Sequence, residues 1–267
     1  MPSPVITLTT DFGYKDPFVG VMKGVILNIN RDAVIVDLNH GVAPQDLRGG
    51  AISILTSYRF FPAGTIHVVV VDPGVGTMRR PIAVKTADYI FVGPDNGVIS
   101  WAMTDNAPYI VREIKNRDFM LDEISSTFHG RDIFSPTAAR ISLMGESGDW
   151  EIIGPNVADP ILIRFPEPKT KATEIIGEIV YIDRFGNLIT NIRPNIESEY
   201  IEVVIGDAYR IKVDGLSRSY EDGDGQGLIL LVGSSGFLEI AKRGGSAERV
   251  VGAKMGERVK ILYGSVG

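Results

Sequence analysis

The chain of 267 residues contains no cysteine. That excludes disulfides, thiolate metal sites and cysteine nucleophiles. Histidine is nearly as scarce: a metal centre built on imidazoles would need almost all of His40, His67 and His129, and no metal is expected. No apolar run approaches the roughly 18 residues that suggest a membrane span, and no charged stretch leads into an apolar one at the N-terminus. A basic excess is missing too. Lys and Arg number 27 against 33 Asp and Glu, for a net charge of -6, and the cations are scattered. Neither nucleic acid nor a membrane is therefore an expected partner. The expectation is a cytoplasmic protein.

What is present is an ordinary globular composition, 44% hydrophobic and 22% charged, with length enough for two modest domains. The first half alternates. PVITLTT (3–9), AVIVDL (33–38) and TIHVVVVD (65–72) read as strands. Between them, residues 17–28 carry Phe18, Met22, Val25 and Ile26 at helical spacing, behind Asp16 as N-cap and Pro17 as N1; residues 44–60 form a second helix. This order predicts an α/β domain with a mainly parallel sheet, and the four consecutive valines fit a strand buried on both faces. IAVKT, YIFVGP and VISWAM follow as short strand-like pieces, and a last helix spans 133–144. The composition turns polar and proline-bearing near 164–173. Beyond it, short strands at 174–182, 187–192, 200–205, 208–213, 227–232, 237–241 and 257–262 predict a smaller all-β, barrel-like domain. The expected boundaries are 1–165 and 174–267, with 166–173 as linker.

Ligands of parallel α/β sheets bind beyond the carboxyl ends of the strands. Asp11 and Asp72 stand at two such ends, each followed by glycine within two residues. Either can be an Asx-turn residue alone; the pair together points to a site. DPGVGTMRR (72–80) lacks the Lys-Ser/Thr of a phosphate loop and runs into another strand at Pro81, so its glycines serve a sharp turn. Arg79 and Arg80 diverge if the segment is extended, leaving one of them to face the site. In STFHGRDIFSP (126–136), Asp132 is placed to cap the following helix, with His129 just ahead of its N-terminus; a structural imidazole is the competing reading. His40 and His67 read as structural. In the second domain, Asp183, Phe185 and Asn187 share one turn, equally readable as a type I′-like hairpin. Ser234 and Ser235 precede a glycine, with groups suited to a carboxylate.

Taken in order, TTDFG (9–13), VDPGVGT (71–77), PDNG (94–97), FHGRDIF (128–134), DRFGNLITN (183–191) and SSGFLEIA (234–241) resemble the S-adenosylmethionine hydroxide adenosyltransferases. These are adenosine-forming S-adenosyl-L-methionine hydrolases, relatives of the fluorinase and chlorinase, and the resemblance runs through both domains. It implies hydrolysis of S-adenosyl-L-methionine to adenosine and L-methionine, no cofactor, and a catalytic triad of Asp72, Arg79 and His129. It implies that Asp11 holds the ribose hydroxyls, and that Phe128 and Tyr220 wall the adenosine. Asp183, Phe185 and Asn187 would surround the methionine end, and Ser234 and Ser235 its carboxylate. It also implies a homotrimer with sites at subunit interfaces. Two departures set the chain apart from the halide-using relatives. Gly130 stands where they place the serine that grips the halide, and Asp72 where they have a tyrosine. A carboxylate repels a halide but orients water. The same pocket also suits a protein that senses S-adenosylmethionine with little turnover.

Overall fold

A strand buried on both faces can be apolar at every position, and Ile66–Val70 (β3) is buried throughout its length. It lies near the middle of a six-stranded sheet with Val5–Thr10 (β1), Val34–Asn39 (β2), Pro81–Lys85 (β4), Ile90–Pro94 (β5) and Ile110–Glu113 (β6), in the order β2-β1-β3-β5-β4-β6. The pairings β2-β1, β1-β3 and β3-β5 are parallel, and the β4 pairings are antiparallel. In this computed structural model the described residues are 3–145, 148–194, 200–206 and 209–264. The chain divides into two units, Met1–Arg164 and Phe165–Gly267.

The pleat sorts the first unit's core. Ile6, Leu8, Val68 and Val70 share a cluster with Met22 and Ile26 of α1 (Phe18–Ile29) and Ala138, Ala139 and Ile141 of α4 (Ser135–Met144). The alternate residues face α2 (Leu47–Leu55) and α3 (Ser100–Asp105). A Cβ on Gly50 would stand 2.9 Å from Val71 and Val98, so this glycine lets α2 lie close to the sheet. Two local expectations change. VISWAM is no strand: from Ser100 it forms α3, because a short, wholly buried apolar run carries no period that separates helix from strand. Asp16 caps nothing at α1, where Pro17 takes the cap position without a side-chain bond.

Among the buried alternate residues is His67, fully enclosed and stacked on Phe91 at 5.3 Å between centroids, with its Nδ1 2.7 Å from Thr7 Oγ1. Burial pushes its pKa down to about 3. The unfolded chain, with histidine near 6.5, takes up the proton first. Stability is thus fully present above pH ~6.5 and drains as pH falls toward ~3, by up to about 1.4 kcal/mol per pH unit for this group. The expected result is a melting temperature that falls from pH 7.5 to pH 5, with a smaller fall in His67→Phe; equal slopes would exclude His67 as a source.

The second unit is built on antiparallel pairing. Its eight-stranded sheet runs Tyr209–Val213 (β11), Ile201–Ile205 (β10), Arg258–Tyr263 (β14), Glu174–Ile182 (β8), Leu188–Thr190 (β9), Leu238–Ala241 (β13), Ile229–Val232 (β12). The eighth strand, Lys169–Lys171 (β7), pairs with β8 and occupies part of the stretch expected as a linker. The long strand β8 pairs with β14 by its first half and β9 by its second, which curls the sheet into a barrel-like form around Ile179, Leu188, Val203, Leu230 and Ile261. Ala208, where a strand was expected to start, lies outside the described residues. Among the described residues no helix is long and apolar enough to cross a membrane.

Candidate active site

The end of β3 delivers Asp72, and the loop after it folds back on itself. Val75 N–H donates to the Asp72 carbonyl at 3.2 Å, and the Thr77 hydroxyl donates to the Gly74 carbonyl at 2.6 Å. Gly76 has φ +75, and a Cβ on it would fall 2.1 Å from the Ser126 carbonyl oxygen. The turn therefore presses against the segment that carries His129.

This fold-back puts the Arg79 guanidinium on the Asp72 carboxylate. Arg79 Nε donates to Oδ1 at 2.9 Å and Oδ2 at 3.0 Å, and Nη2 also bonds Oδ2. Both side chains are buried, 5% and 8% exposed. Nη2 stands 2.7 Å from His129 Nδ1, and the guanidinium carbon lies 5.2 Å from the centre of the Phe134 ring. Asp72, Arg79 and His129 are thus joined directly. Arg80 turns away to Asp95 and Asp159, at 2.7 and 2.8 Å.

The donor inventory decides the protonation of the cluster. Arginine only donates, so His129 Nδ1 must offer its lone pair to Nη2. Burial first, then the Arg79 charge, hold the imidazole pKa below its usual value. A neutral ring with Nδ1 engaged carries its proton on Nε2. Arg79 Nη1 is buried and meets no hydrogen-bond partner among the described residues. The result is a buried carboxylate with lone pairs to spare, beside an unused cationic donor.

His129 is positioned by a different device from the one expected. Asp132 does not cap the helix. Its buried carboxylate accepts the Ser125 N–H and hydroxyl, both at 2.8 Å, and takes Arg131 as ion partner. Residues Gly130–Phe134 form one π-helical turn ahead of α4, a wider turn often found at functional sites. A fully buried acid gains more from bridging Ser125 and Arg131 than from a partly exposed cap, and the clamp fixes the loop holding His129. Gly130 borders Met22 and Phe128, each 3.3 Å from where its Cβ would stand. Phe128 packs edge-on against Phe12 and Phe18, with centroids 5.8 and 5.2 Å away.

At the end of β1, Asp11 Oδ2 accepts the Gln45 N–H at 2.8 Å. Gln45 is the one non-glycine residue with positive φ (66) among those described. His40 is buried just behind: its Nδ1 meets Thr10 Oγ1 at 2.8 Å, and its Nε2 meets Asp37 at 3.1 Å. Sequence reasoning missed Asn96, whose amide donates to the Val71 carbonyl at 2.9 Å and pins the chain directly before Asp72. The PDNG motif was its only signal.

In the second unit, Asp183 closes the β8–β9 turn itself. Oδ1 accepts the N–H groups of Phe185 and Asn187, and Oδ2 accepts the Asn187 side-chain amide, all at 2.9 Å. Gly186 has positive φ and Asn187 does not, so this is an Asx-type closure and not a type I′ turn. Phe185 is 75% exposed and Asn187 is buried. Phe185 also borders a cleft of about 240 Å³ shared with Arg184, Ser246, Glu248 and Arg249. Ser234 and Ser235 lie in the β12–β13 turn, where Gly236 N–H donates to the Gly233 carbonyl. Tyr220 O–H donates to Glu239 at 2.7 Å. Among the described residues, no cluster of three or more His, Asp or Glu is arranged to hold a metal.

Comparison with known proteins covers both units. Residues 6–150 match the family described as SAM hydroxide adenosyltransferase N-terminal domain, and residues 177–260 its C-terminal counterpart. A protein of Salinispora tropica named (R)-S-adenosyl-L-methionine hydrolase is 35% identical, over 98% of this chain and 99% of its own. A fluorinase of Nocardia brasiliensis is 26% identical over 98% and 97%. The crystal structure of an uncharacterized conserved protein from Thermotoga maritima superposes with a TM-score of 0.89 at 35% identity, covering 96% of this chain and 99% of that one.

Proposed function

Because the chain belongs to the S-adenosylmethionine (SAM) hydroxide adenosyltransferase family, we propose that it hydrolyses (R)-S-adenosyl-L-methionine to adenosine and L-methionine. The observation that carries the reading is the Asp72–Arg79–His129 cluster, in which a buried carboxylate and guanidinium meet the imidazole.

In the reaction, water attacks the ribose C5′. The C5′–O bond forms as the C5′–S bond breaks, and the bonding pair passes to sulfur to leave neutral methionine. The sulfonium charge disappears in that step, so a site poor in water favours it. Free water, with a pKa of about 15.7, is a poor nucleophile. The protein meets this in two ways. The Arg79 charge stabilises the oxygen, and its guanidinium fixes the Asp72 carboxylate that sets the line of approach, which contributes through position. Asp72 accepts a hydrogen bond from the same water. Its proton becomes strongly acidic only as the C–O bond forms, so a carboxylate suffices as a late acceptor. His129, with Nδ1 already bound to Arg79, orients the guanidinium and is not the base.

Halide transfer fits poorly. The chain has no serine at position 130, where a Cβ would stand 3.3 Å from Met22 and Phe128 and ask them to give by a few tenths of an ångström, and Asp72 would repel the anion. Asp11 is assigned to the ribose hydroxyls, Phe128 and Tyr220 to the adenosine walls. Asp183, Phe185, Asn187, Ser234 and Ser235 are assigned to the methionine portion. The proposal includes the homotrimer, with first-unit residues of one subunit meeting second-unit residues of its neighbour around each substrate, and a cytoplasmic location.

Incubation with SAM in oxygen-18 water should yield adenosine and methionine in equal amounts, with the label on the adenosine 5′-hydroxyl. From a mixture of sulfonium epimers, the (R) form should be consumed. A 5′-halo-adenosine formed in chloride or fluoride, or label absent from the 5′ oxygen, would refute the proposal.

A further inference from the structure

Strand β13 reads LEIA, and all four of its residues are buried, the glutamate included: Glu239 is 7% exposed. It pairs across the sheet with Leu231 on one side and Ile189 on the other. Among the described residues no cation is paired with it, and the charge of Asp183 acts on it as a like charge. A buried carboxylate without a cation is costly, and an aliphatic residue at such a position would stabilise the barrel. The surrounding chain nevertheless makes room for it. A Cβ on Gly233 would fall 1.7 Å from Glu239 Oε1 and 2.2 Å from its Cδ. Gly233 lacks positive φ, so it is glycine for space and not for conformation.

What the carboxylate does in that space is accept the Tyr220 hydroxyl at 2.7 Å on Oε2. Tyr220 begins a short turn, Tyr220–Asp222, that leaves the residue 44% exposed. Its hydroxyl end is thus anchored on a buried acid while part of its surface stays open to solvent. Asp183 acts electrostatically on both members of the pair. We infer that Glu239 is a positioning residue of the substrate site: it holds the Tyr220 ring in the orientation that walls the adenosine. This rests on the assignment of Tyr220 to the adenosine wall.

The test uses Y220F, which keeps the ring and removes the tether, and E239M, which keeps the volume and removes the acceptor. Either should raise the KM for SAM about tenfold, the size expected for a hydrogen bond to a charged group, with kcat within about twofold. The double variant should be no worse than either single one, because both changes cut the same bond. E239Q, whose amide oxygen still accepts the hydroxyl, should restore KM to within about threefold of the parent protein. An unchanged KM in a folded E239M, or additive effects in the double variant, overturns the inference. If E239M does not fold, Y220F decides alone, and a parent-like KM there overturns it. If the parent protein yields no adenosine from SAM, the proposed activity falls by itself, and the comparison is repeated on adenosine affinity by calorimetry. Equal weakening in Y220F and E239M then upholds the positioning role, and absence of adenosine binding by the parent removes it.

Discussion

Asp72→Asn is expected to lower kcat for SAM hydrolysis by about 10²–10³-fold, with KM within a few fold of the parent value. The substitution is nearly isosteric, so packing around β3 is retained. It removes the charge and leaves one oxygen where Arg79 uses two, through Nε and Nη2. One of those N–H groups then faces an amide donor, and the guanidinium loses its alignment. The proposed late proton acceptor is lost in the same change. His129→Gln should cost less, because its side-chain oxygen can still accept from Arg79. That order follows from the proton bookkeeping at Nδ1, and it is open to direct measurement. Steady-state kinetics decide the matter once thermal melts show that both variants fold. A kcat unchanged in Asp72→Asn would remove the carboxylate from the mechanism, and a larger loss in His129→Gln would move the base to the imidazole.

Gly76→Ala should be severely damaging although it adds a single methyl group and lies outside the Asp72–Arg79–His129 cluster. The left-handed conformation alone costs a residue with a Cβ about 1–2 kcal/mol. Here the new methyl group also falls 2.1 Å from the Ser126 oxygen and 3.0 Å from its carbonyl carbon, neither of which can rotate aside. Relief requires the 72–79 loop and the 126–129 segment to separate, which pulls Arg79 from His129. The expected outcome is a lower melting temperature together with a turnover loss of at least about tenfold, the scale on which displacement by about an ångström costs catalysis. Gly74→Ala is the control two residues away. Its Cβ would meet Thr77 Oγ1 at 3.4 Å and Arg79 Cγ at 3.5 Å, contacts that side chains accommodate. Equal behaviour of the two variants would mean that close approach at Gly76 has no part in building the site.

Much of this molecule is legible along the chain, and the reasons are local. The valine run of β3 signals burial on both faces, and the change to short strands past residue 174 signals a second kind of layer. Asp72 and Arg79 lie seven residues apart in one glycine-bearing turn, so their meeting is a short-range event that the turn residues already suggest. The divergence of Arg79 and Arg80 is of the same kind.

Other features depend on residues far apart in sequence. Arg79 and His129 are fifty positions apart, and Asn96 reaches Val71 across twenty-five. A helix-capping pattern made Asp132 a cap, whereas burial gave it Ser125 and Arg131 to bridge. Glu239 reads as a polar residue in a strand until Tyr220, nineteen positions earlier, is seen on it. The sequence by itself determined the layers, the turns and the acid at each strand end, because periodicity and turn chemistry act over a few residues. Only the tertiary structure decided which donor each buried acid would find, because removal from water makes a partner necessary and chain packing determines which one is within reach.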